Sequence, residues 1–159
     1  MSRRPPSTLA AAWIATWFGA GLLPKAPGTW GSLAALPFAW IVHAEWGQGW
    51  LAGAAVLLFA VGTWAAERYR RHTEAQDPQA VVVDEVVGQW LVLAALPGPE
   101  LLSYAIGFAL FRLFDVWKPW PVSWADRHVK GGLGIMLDDV LAAAYGAAAL
   151  FLIHLYLLN

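Results

Sequence analysis

The stretch IMLDDVLAAAYGAAALFLIHLYL, residues 135–157, is the longest apolar run of the chain. A helix needs about 20 apolar residues to cross a bilayer, so this run predicts a membrane-spanning helix. Two adjacent carboxylates, Asp138 and Asp139, interrupt the run near its start. A charge inside the bilayer costs about 3 kcal/mol even on lenient scales, and it persists where it pairs, faces a cavity or binds an ion. The run therefore predicts both a membrane protein and a functional site within it.

The composition of the whole chain also indicates a membrane protein. Of its 159 residues, 59% are hydrophobic and 13% are charged, whereas soluble domains are about 45–50% apolar and about 25% charged. The net charge of −1 argues against a nucleic-acid partner, because no basic surplus exists to neutralise phosphates. The absence of cysteine excludes disulfides, thiolate metal sites and a cysteine nucleophile. We therefore expect a single integral-membrane domain over residues 1–159, in contact with membrane lipids, and the oligomeric state stays open.

The apolar runs predict an all-α, polytopic membrane helix bundle. Five runs are expected to cross the membrane: residues 31–44, 50–66, 80–96, 100–114 and 135–157. A sixth run, residues 8–23, ends at Pro24 and is expected to form a short interfacial or re-entrant helix. With this topology all ten basic residues lie on one side, which the positive-inside rule makes the cytoplasm. They are Arg3, Arg4, Lys25, Arg68, Arg70, Arg71, Arg112, Lys118, Arg127 and Lys130.

The same topology brings the unusual polar residues to one membrane depth on the cytoplasmic side. Five carboxylates are expected within a few turns of the cytoplasmic ends of three helices. They are Asp84, Glu85, Asp115, Asp138 and Asp139. Six residues near them are candidates to bind phosphate, and three of these lie in or just after the first cytoplasmic loop. The six are Lys25, Thr29, Ser32, Arg112, Lys118 and Lys130. Convergence from four distant stretches of sequence predicts a single site.

The chemistry of these side chains indicates metal-assisted phosphoryl transfer. Carboxylate oxygens are the ligands that magnesium prefers, and a bound magnesium ion keeps some waters and accepts substrate phosphate oxygens. Lysine and arginine bind phosphate charge. We therefore take the five carboxylates as candidate catalytic residues and Mg2+ ligands. For each carboxylate, the alternative to a catalytic or metal-binding role is a structural ion pair with a nearby basic residue. Adjacent residues do not share a helix face, so the two members of each acidic pair should differ in role.

The three segments that carry the acidic residues, together with two segments nearer the N-terminus and in this order, resemble the phosphatidylglycerophosphatase A family of bacterial membrane lipid phosphatases. The matching segments are TWFG (16–19), LPKAPGTWGS (23–32), VDEVVGQW (83–90), FRLFDVWKPWP (111–121) and GGLGIMLDDV (131–140). The resemblance covers roughly residues 13–145. It implies a magnesium-dependent enzyme that converts phosphatidylglycerophosphate to phosphatidylglycerol and phosphate. It also implies a multi-pass protein of the bacterial cytoplasmic (inner) membrane whose active site faces the cytoplasm.

Two other functions fit part of the pattern. A membrane headgroup transferase would use similar acids and a metal, but it needs a nucleotide-bearing donor, and the Asp-Gly…Ala-Arg…Gly…Asp…Asp signature of that class is absent from the sequence. A small ion or proton carrier would use buried acids as a relay. Such a carrier predicts charges through the full depth of the membrane, whereas the charges here are expected at one face.

Overall fold

The computed structural model describes residues 6–159, and every regular element in that range is helical. The helices are α1 (Pro6–Ala15), α2 (Pro27–Trp46), α3 (Gln48–Thr73), α4 (Val83–Leu93), α5 (Leu101–Trp117), α6 (Val122–His128) and α7 (Gly131–Ile153). A 3-10 turn (Ala20–Leu22) follows α1, and a π-helical turn (His154–Leu158) continues α7. The predicted all-α class is therefore confirmed for the described residues.

Helix α4 is the centre of the bundle. It packs against α2, α3, α5 and α7, and nine of its eleven residues are buried. Val86 and Val92 of α4 join a core that includes Phe111 of α5 and Leu150 of α7. Because apolar neighbours enclose α4, the two carboxylates in its first turn, Asp84 and Glu85, are held close to the core.

Two helices are long and apolar enough to cross a membrane. They are α3, with 26 residues, and α7 with its π-helical turn, with 28 residues. Large apolar side chains such as Trp50, Leu57 and Leu152 are exposed on their surfaces. Helix α4 has eleven residues, so it is about 16 Å long and shorter than the ~30 Å hydrocarbon core. The structure thus supports membrane association, and the five crossings stay a prediction.

The N-terminal segment contains a short helix, and its predicted interfacial or re-entrant placement stays a prediction. Helix α1 has ten residues, and the chain then turns through Trp17, Phe18 and Gly19, which all have positive φ angles. Two of the basic residues behind the orientation prediction, Arg3 and Arg4, lie outside the described residues. Helix α6 lies between the apolar runs 100–114 and 135–157, outside every run that was expected to be helical.

The first turn of α7 is fixed by a close approach to α3. Gly131 has a φ angle of +75°, and a Cβ atom on Gly132 would collide with the carbonyl oxygen of Thr63. The backbone N–H of Gly132 donates a hydrogen bond to the Glu67 carboxylate at 2.8 Å. This contact begins α7 at Gly131, so Asp138 and Asp139 lie about two turns inside the helix, further in than the sequence predicted.

Candidate active site

A polar cavity of about 380 Å³ lies where α2, α4 and α7 begin and α5 ends. Its charged lining residues are Asp77, Asp84, Glu85, Arg112, Asp115, Lys118, Asp138 and Asp139. The cavity thus brings together all five carboxylates selected from the sequence and two of the six phosphate-binding candidates. The N-termini of α2 and α4 add partial positive charge at this end of the bundle, where the acids are concentrated.

The five carboxylates form two groups that share one member. In the first group, Asp84, Asp138 and Asp139 can each offer an oxygen within 4.8 Å of the others. In the second group, Glu85, Asp115 and Asp139 do the same. Asp139 is only 2% exposed, so it contributes a carboxylate to both groups from a position that bulk water hardly reaches.

Arg112 of α5 contacts two of the carboxylates that line the cavity. Its Nη1 atom donates a hydrogen bond to Oδ2 of Asp115 and lies 3.8 Å from Oε1 of Glu85. Arg112 and Asp115 are three residues apart on one helix, which is the spacing at which side chains meet. The guanidinium therefore fixes the orientation of Asp115 and faces the carboxylate of Glu85.

Lys118 lies directly after α5 and contacts a carboxylate of α7. Its Nζ atom donates a hydrogen bond to Oδ2 of Asp138 at 2.7 Å and lies 3.7 Å from carboxylate oxygens of Asp115 and Asp126. Burial lowers the pKa of Lys118, but the hydrogen bond to Asp138 and the charges of the surrounding acids raise the pKa to a larger extent. The net pKa lies above the ordinary lysine value, so the ammonium group stays charged.

Two carboxylate oxygens in the cavity are buried without a hydrogen-bond partner among the described residues. They are Oε2 of Glu85 and Oδ2 of Asp139. A buried ionised group is costly unless it is paired or binds a metal. Six lining carboxylates, Asp77 included, also face only two basic lining residues, which leaves an excess of four negative charges. Both observations indicate that the cavity is built to hold added positive charge.

The turn into α2 forms another wall of the cavity. Lys25 and Ala26 have positive φ angles, and Pro27 starts the helix, a position that suits proline because its missing N–H would have no helical partner. A Cβ atom on Gly28 would collide with Oε1 of Glu85 and approach Nη1 of Arg112 to 3.1 Å. Glycine at position 28 therefore allows the backbone of α2 to reach the acidic cluster.

Four of the predicted phosphate-binding residues are placed elsewhere. Lys25 is exposed, Ser32 is buried within α2, and neither they nor Thr29 line the cavity. Lys130 is exposed and lines a smaller neighbouring cavity of about 80 Å³, together with Asp84 and Asp138. A role for these four in binding phosphate stays a prediction.

Sequence reasoning gave little weight to three acidic residues that the structure places at or near the site. Asp77 lines the cavity from the loop after α3, although the sequence Asp77-Pro78 indicates only a turn. Asp126, on the short α6, contacts Lys118. Glu67 holds the start of α7 while it also pairs with Arg70. The spacing of Glu67 and Arg70 predicts an ordinary ion pair on a helix surface. Nothing in the local sequence indicates the additional hydrogen bond from the backbone N–H of Gly132 to Glu67.

Comparison with known proteins gives one consistent family. The family model described as phosphatidylglycerophosphatase A matches residues 13–154. A phosphatidylglycerophosphatase A of Escherichia coli K12 is 40% identical over 140 residues, which cover 88% of this chain and 81% of the relative. A protein of the same name from Haemophilus influenzae Rd is 38% identical over 145 residues, which cover 91% and 89% of the two chains.

A third relative carries a different name. This protein of Bacteroides thetaiotaomicron is 41% identical over 145 residues, which cover 83% of this chain and 86% of the relative, and its name is a provisional one, phosphatidylinositol-3-phosphatase. No solved structure matches the chain. All three relatives are therefore named as phosphatases of a phosphorylated lipid.

Proposed function

The chain belongs to the phosphatidylglycerophosphatase A family, and from this premise we propose that it hydrolyses phosphatidylglycerophosphate to phosphatidylglycerol and inorganic phosphate. The observation that carries the proposal is the cavity in which five carboxylates meet Arg112 and Lys118. Such a set of acids and bases suits a phosphate monoester, because the bases bind phosphate oxygens and the acids can bind a metal that does the same. The proposed unit is a single domain over residues 1–159.

The residues of the cavity fit a magnesium ion. All candidate ligands are hard carboxylate oxygens, and two of these oxygens are buried without a hydrogen-bond partner among the described residues. The residues that would hold the ion are drawn from Asp84, Glu85, Asp115, Asp138 and Asp139. When bound, magnesium supplies Lewis-acid polarisation of the phosphoryl group and lowers the pKa of a coordinated water.

The side chains of the protein would do the remaining work. Arg112 and Lys118 are already oriented by their carboxylate partners, and their other N–H groups can bind the oxygens of the phosphate. Hydrolysis forms one bond from oxygen to phosphorus and breaks the ester bond, and the departing alkoxide takes a proton to become the lipid alcohol. The attacking oxygen comes either from water or from a carboxylate, through an aspartyl-phosphate that water then hydrolyses.

An apolar groove between two of the helices that line the cavity supports a lipid substrate. The groove has a volume of about 380 Å³ and lies between α2 and α5. It is lined by Leu33, Leu36, Pro37, Trp40, Leu101, Tyr104 and Ala105. The same two helices carry Gly28 and Arg112 at the polar cavity, and Ala105 lies two turns from Arg112 on the same face of α5. An amphiphile with its phosphate in the cavity and an acyl chain in the groove would satisfy both surfaces.

The proposed reaction is tested by phosphate release from the purified protein in detergent micelles. We expect phosphatidylglycerophosphate to be hydrolysed with magnesium and to be left intact with a chelator. Water-soluble glycerol 3-phosphate should be a much poorer substrate because it cannot use the groove. Phosphatidylinositol 3-phosphate is the second lipid to test, because the Bacteroides relative is named for it. Folded protein that releases no phosphate from phosphatidylglycerophosphate with magnesium would contradict the proposal and favour the transferase or carrier alternatives.

We propose further that the helices cross the bacterial cytoplasmic membrane five times and that the cavity faces the cytoplasm. Support comes from the basic residues of the described chain, because Arg112 and Lys118 line the cavity and Arg70 and Arg71 end α3 on the side where α7 begins. Positive charge concentrates on the cytoplasmic side of membrane proteins.

The orientation can be tested because the chain contains no cysteine. In intact cells, an impermeant thiol reagent should label Gln48→Cys, at the start of α3, and should leave Thr73→Cys, at its end, unlabelled. Thr73→Cys should react once the membrane is permeabilised, which provides the matched control on the same helix. Labelling of Thr73→Cys in intact cells, with Gln48→Cys protected, would reverse the proposed orientation.

A further inference from the structure

We propose that the cavity binds two divalent cations and that the carboxylate of Asp139 bridges them. The inference rests on the proposed phosphatase function and concerns the same cavity. One cation would lie between Asp84, Asp138 and Asp139, and the other between Glu85, Asp115 and Asp139.

The first argument is the spacing of the ligand atoms. Magnesium binds oxygen at about 2.1 Å, so two ligands on opposite sides of one ion are about 4.2 Å apart. Each three-carboxylate group has oxygens within 4.8 Å of one another, which is close to the span of a single ion. The five carboxylates form two such groups rather than one. A single ion at either position would leave two of the five carboxylates without a cation.

The second argument is the balance of charge. Before substrate binds, the lining carries an excess of four negative charges, and a phosphate monoester adds about two more at neutral pH. One divalent cation offsets only two of these, and the remainder repels the substrate in a cavity where water screens poorly. Two divalent cations offset four of these charges and bring the occupied cavity much closer to neutral than one cation does. Binding of the proposed substrate therefore requires more positive charge than one magnesium ion provides.

The third argument is the way in which the carboxylates are held. In each group one member is fixed by a basic side chain: Lys118 binds Asp138, and Arg112 binds Asp115. Partners of this kind orient metal ligands and are part of the design of a metal site. Asp139, which belongs to both groups, instead has a buried Oδ2 atom with no hydrogen-bond partner among the described residues. The shared carboxylate thus has an oxygen left available, as a bridging ligand requires, and Glu85 of the second group has another.

Two cations would also serve the reaction. In two-metal phosphoryl-transfer sites the ions lie about 3.5–4 Å apart and stabilise both the attacking and the leaving oxygen. Asp139 would be the ligand common to both ions, with Asp84 and Asp138 completing one site and Glu85 and Asp115 the other. Arg112 and Lys118, which line the same cavity, would bind the oxygens of the phosphate.

The experiment counts manganese, a paramagnetic substitute for magnesium, on the full-length protein in detergent. Equilibrium dialysis should give two Mn2+ per chain, and electron paramagnetic resonance should show the exchange coupling of two ions that share a ligand. Asp84→Asn should lose one Mn2+ and the coupling, whereas Asp139→Asn should weaken both ions at least about tenfold. Glu45→Gln, an exposed acid at the far end of α2, should keep both ions.

One uncoupled Mn2+ per chain in the unsubstituted protein would overturn the inference, whatever the variants do. Because that measurement needs no substitution, a variant that fails to fold does not obscure the result. Magnesium-dependent phosphate release together with a single Mn2+ would leave the proposed function in place and remove the two-metal centre. Two coupled Mn2+ without phosphate release from any lipid tested would remove the proposed reaction while the paired metal site remained.

Discussion

Asp139→Asn is expected to reduce phosphate release from phosphatidylglycerophosphate by at least about 1,000-fold, which corresponds to roughly 4 kcal/mol of transition-state stabilisation. Asp139 belongs to both carboxylate groups and is almost fully buried, so its charge is the one that a metal in either position would need. Asparagine has nearly the same shape, but it carries no charge and offers one acceptor oxygen instead of two. The measurement is the initial rate of phosphate release at saturating magnesium.

The stability of the same variant separates a functional carboxylate from a structural one. In the metal-free protein the five acids repel one another, because two basic side chains do not balance them. Removal of one buried negative charge should therefore leave the thermal unfolding midpoint unchanged or raise it. Asp84→Asn and Asp115→Asn should show the same combination of lost activity and retained stability, with Glu45→Gln as the active control. Full activity in all three aspartate variants would exclude this cavity as the active site.

The convergence of the acids could be predicted because it depends on helix ends and not on details of packing. Asp84 and Glu85 start an apolar segment, and Asp115 ends another. Once basic residues assign the ends to one side, the carboxylates must lie at similar depth. Their grouping into two sets around Asp139 could not be predicted, since it depends on the rotation of α4 relative to α7. That rotation is set by core contacts such as Val92 against Gly146.

The helix boundaries show where local patterns are insufficient. An apolar run does not reveal whether its residues continue as a helix or as a buried turn, and α4 ends at Leu93 inside the run 80–96. Helix α2 shows the opposite difference, because it begins at Pro27, before the start of the apolar run 31–44. Thr29 and Ser32 therefore lie within α2. The orientation of this helix places the side chain of Ser32 in the core instead of toward the cavity. The start of α7 depends on Glu67 and Thr63, about 65 residues earlier in the chain.

Arg112→Ala is expected to lower kcat/KM for phosphatidylglycerophosphate by about 100-fold, which corresponds to roughly 2.7 kcal/mol. Arg112 donates to Asp115 and faces Glu85 from the wall of the cavity, and its remaining N–H groups are available to a phosphate. Loss of the guanidinium removes a bidentate phosphate ligand and adds one more unbalanced negative charge. Both effects weaken substrate binding, so we expect KM to rise as well as kcat to fall.

The lysine variant shows how much of this effect is charge and how much is geometry. Arg112→Lys keeps the positive charge but loses the planar pair of donors, so its kcat/KM should lie between those of the native protein and Arg112→Ala. Arg127→Ala, on the exposed surface of α6, should retain full activity and excludes a general effect of lost basic charge. If Arg112 only oriented Asp115, both Arg112 variants would bind Mn2+ less well at an unchanged KM. A raised KM with Mn2+ binding retained would instead place the guanidinium on the phosphate itself.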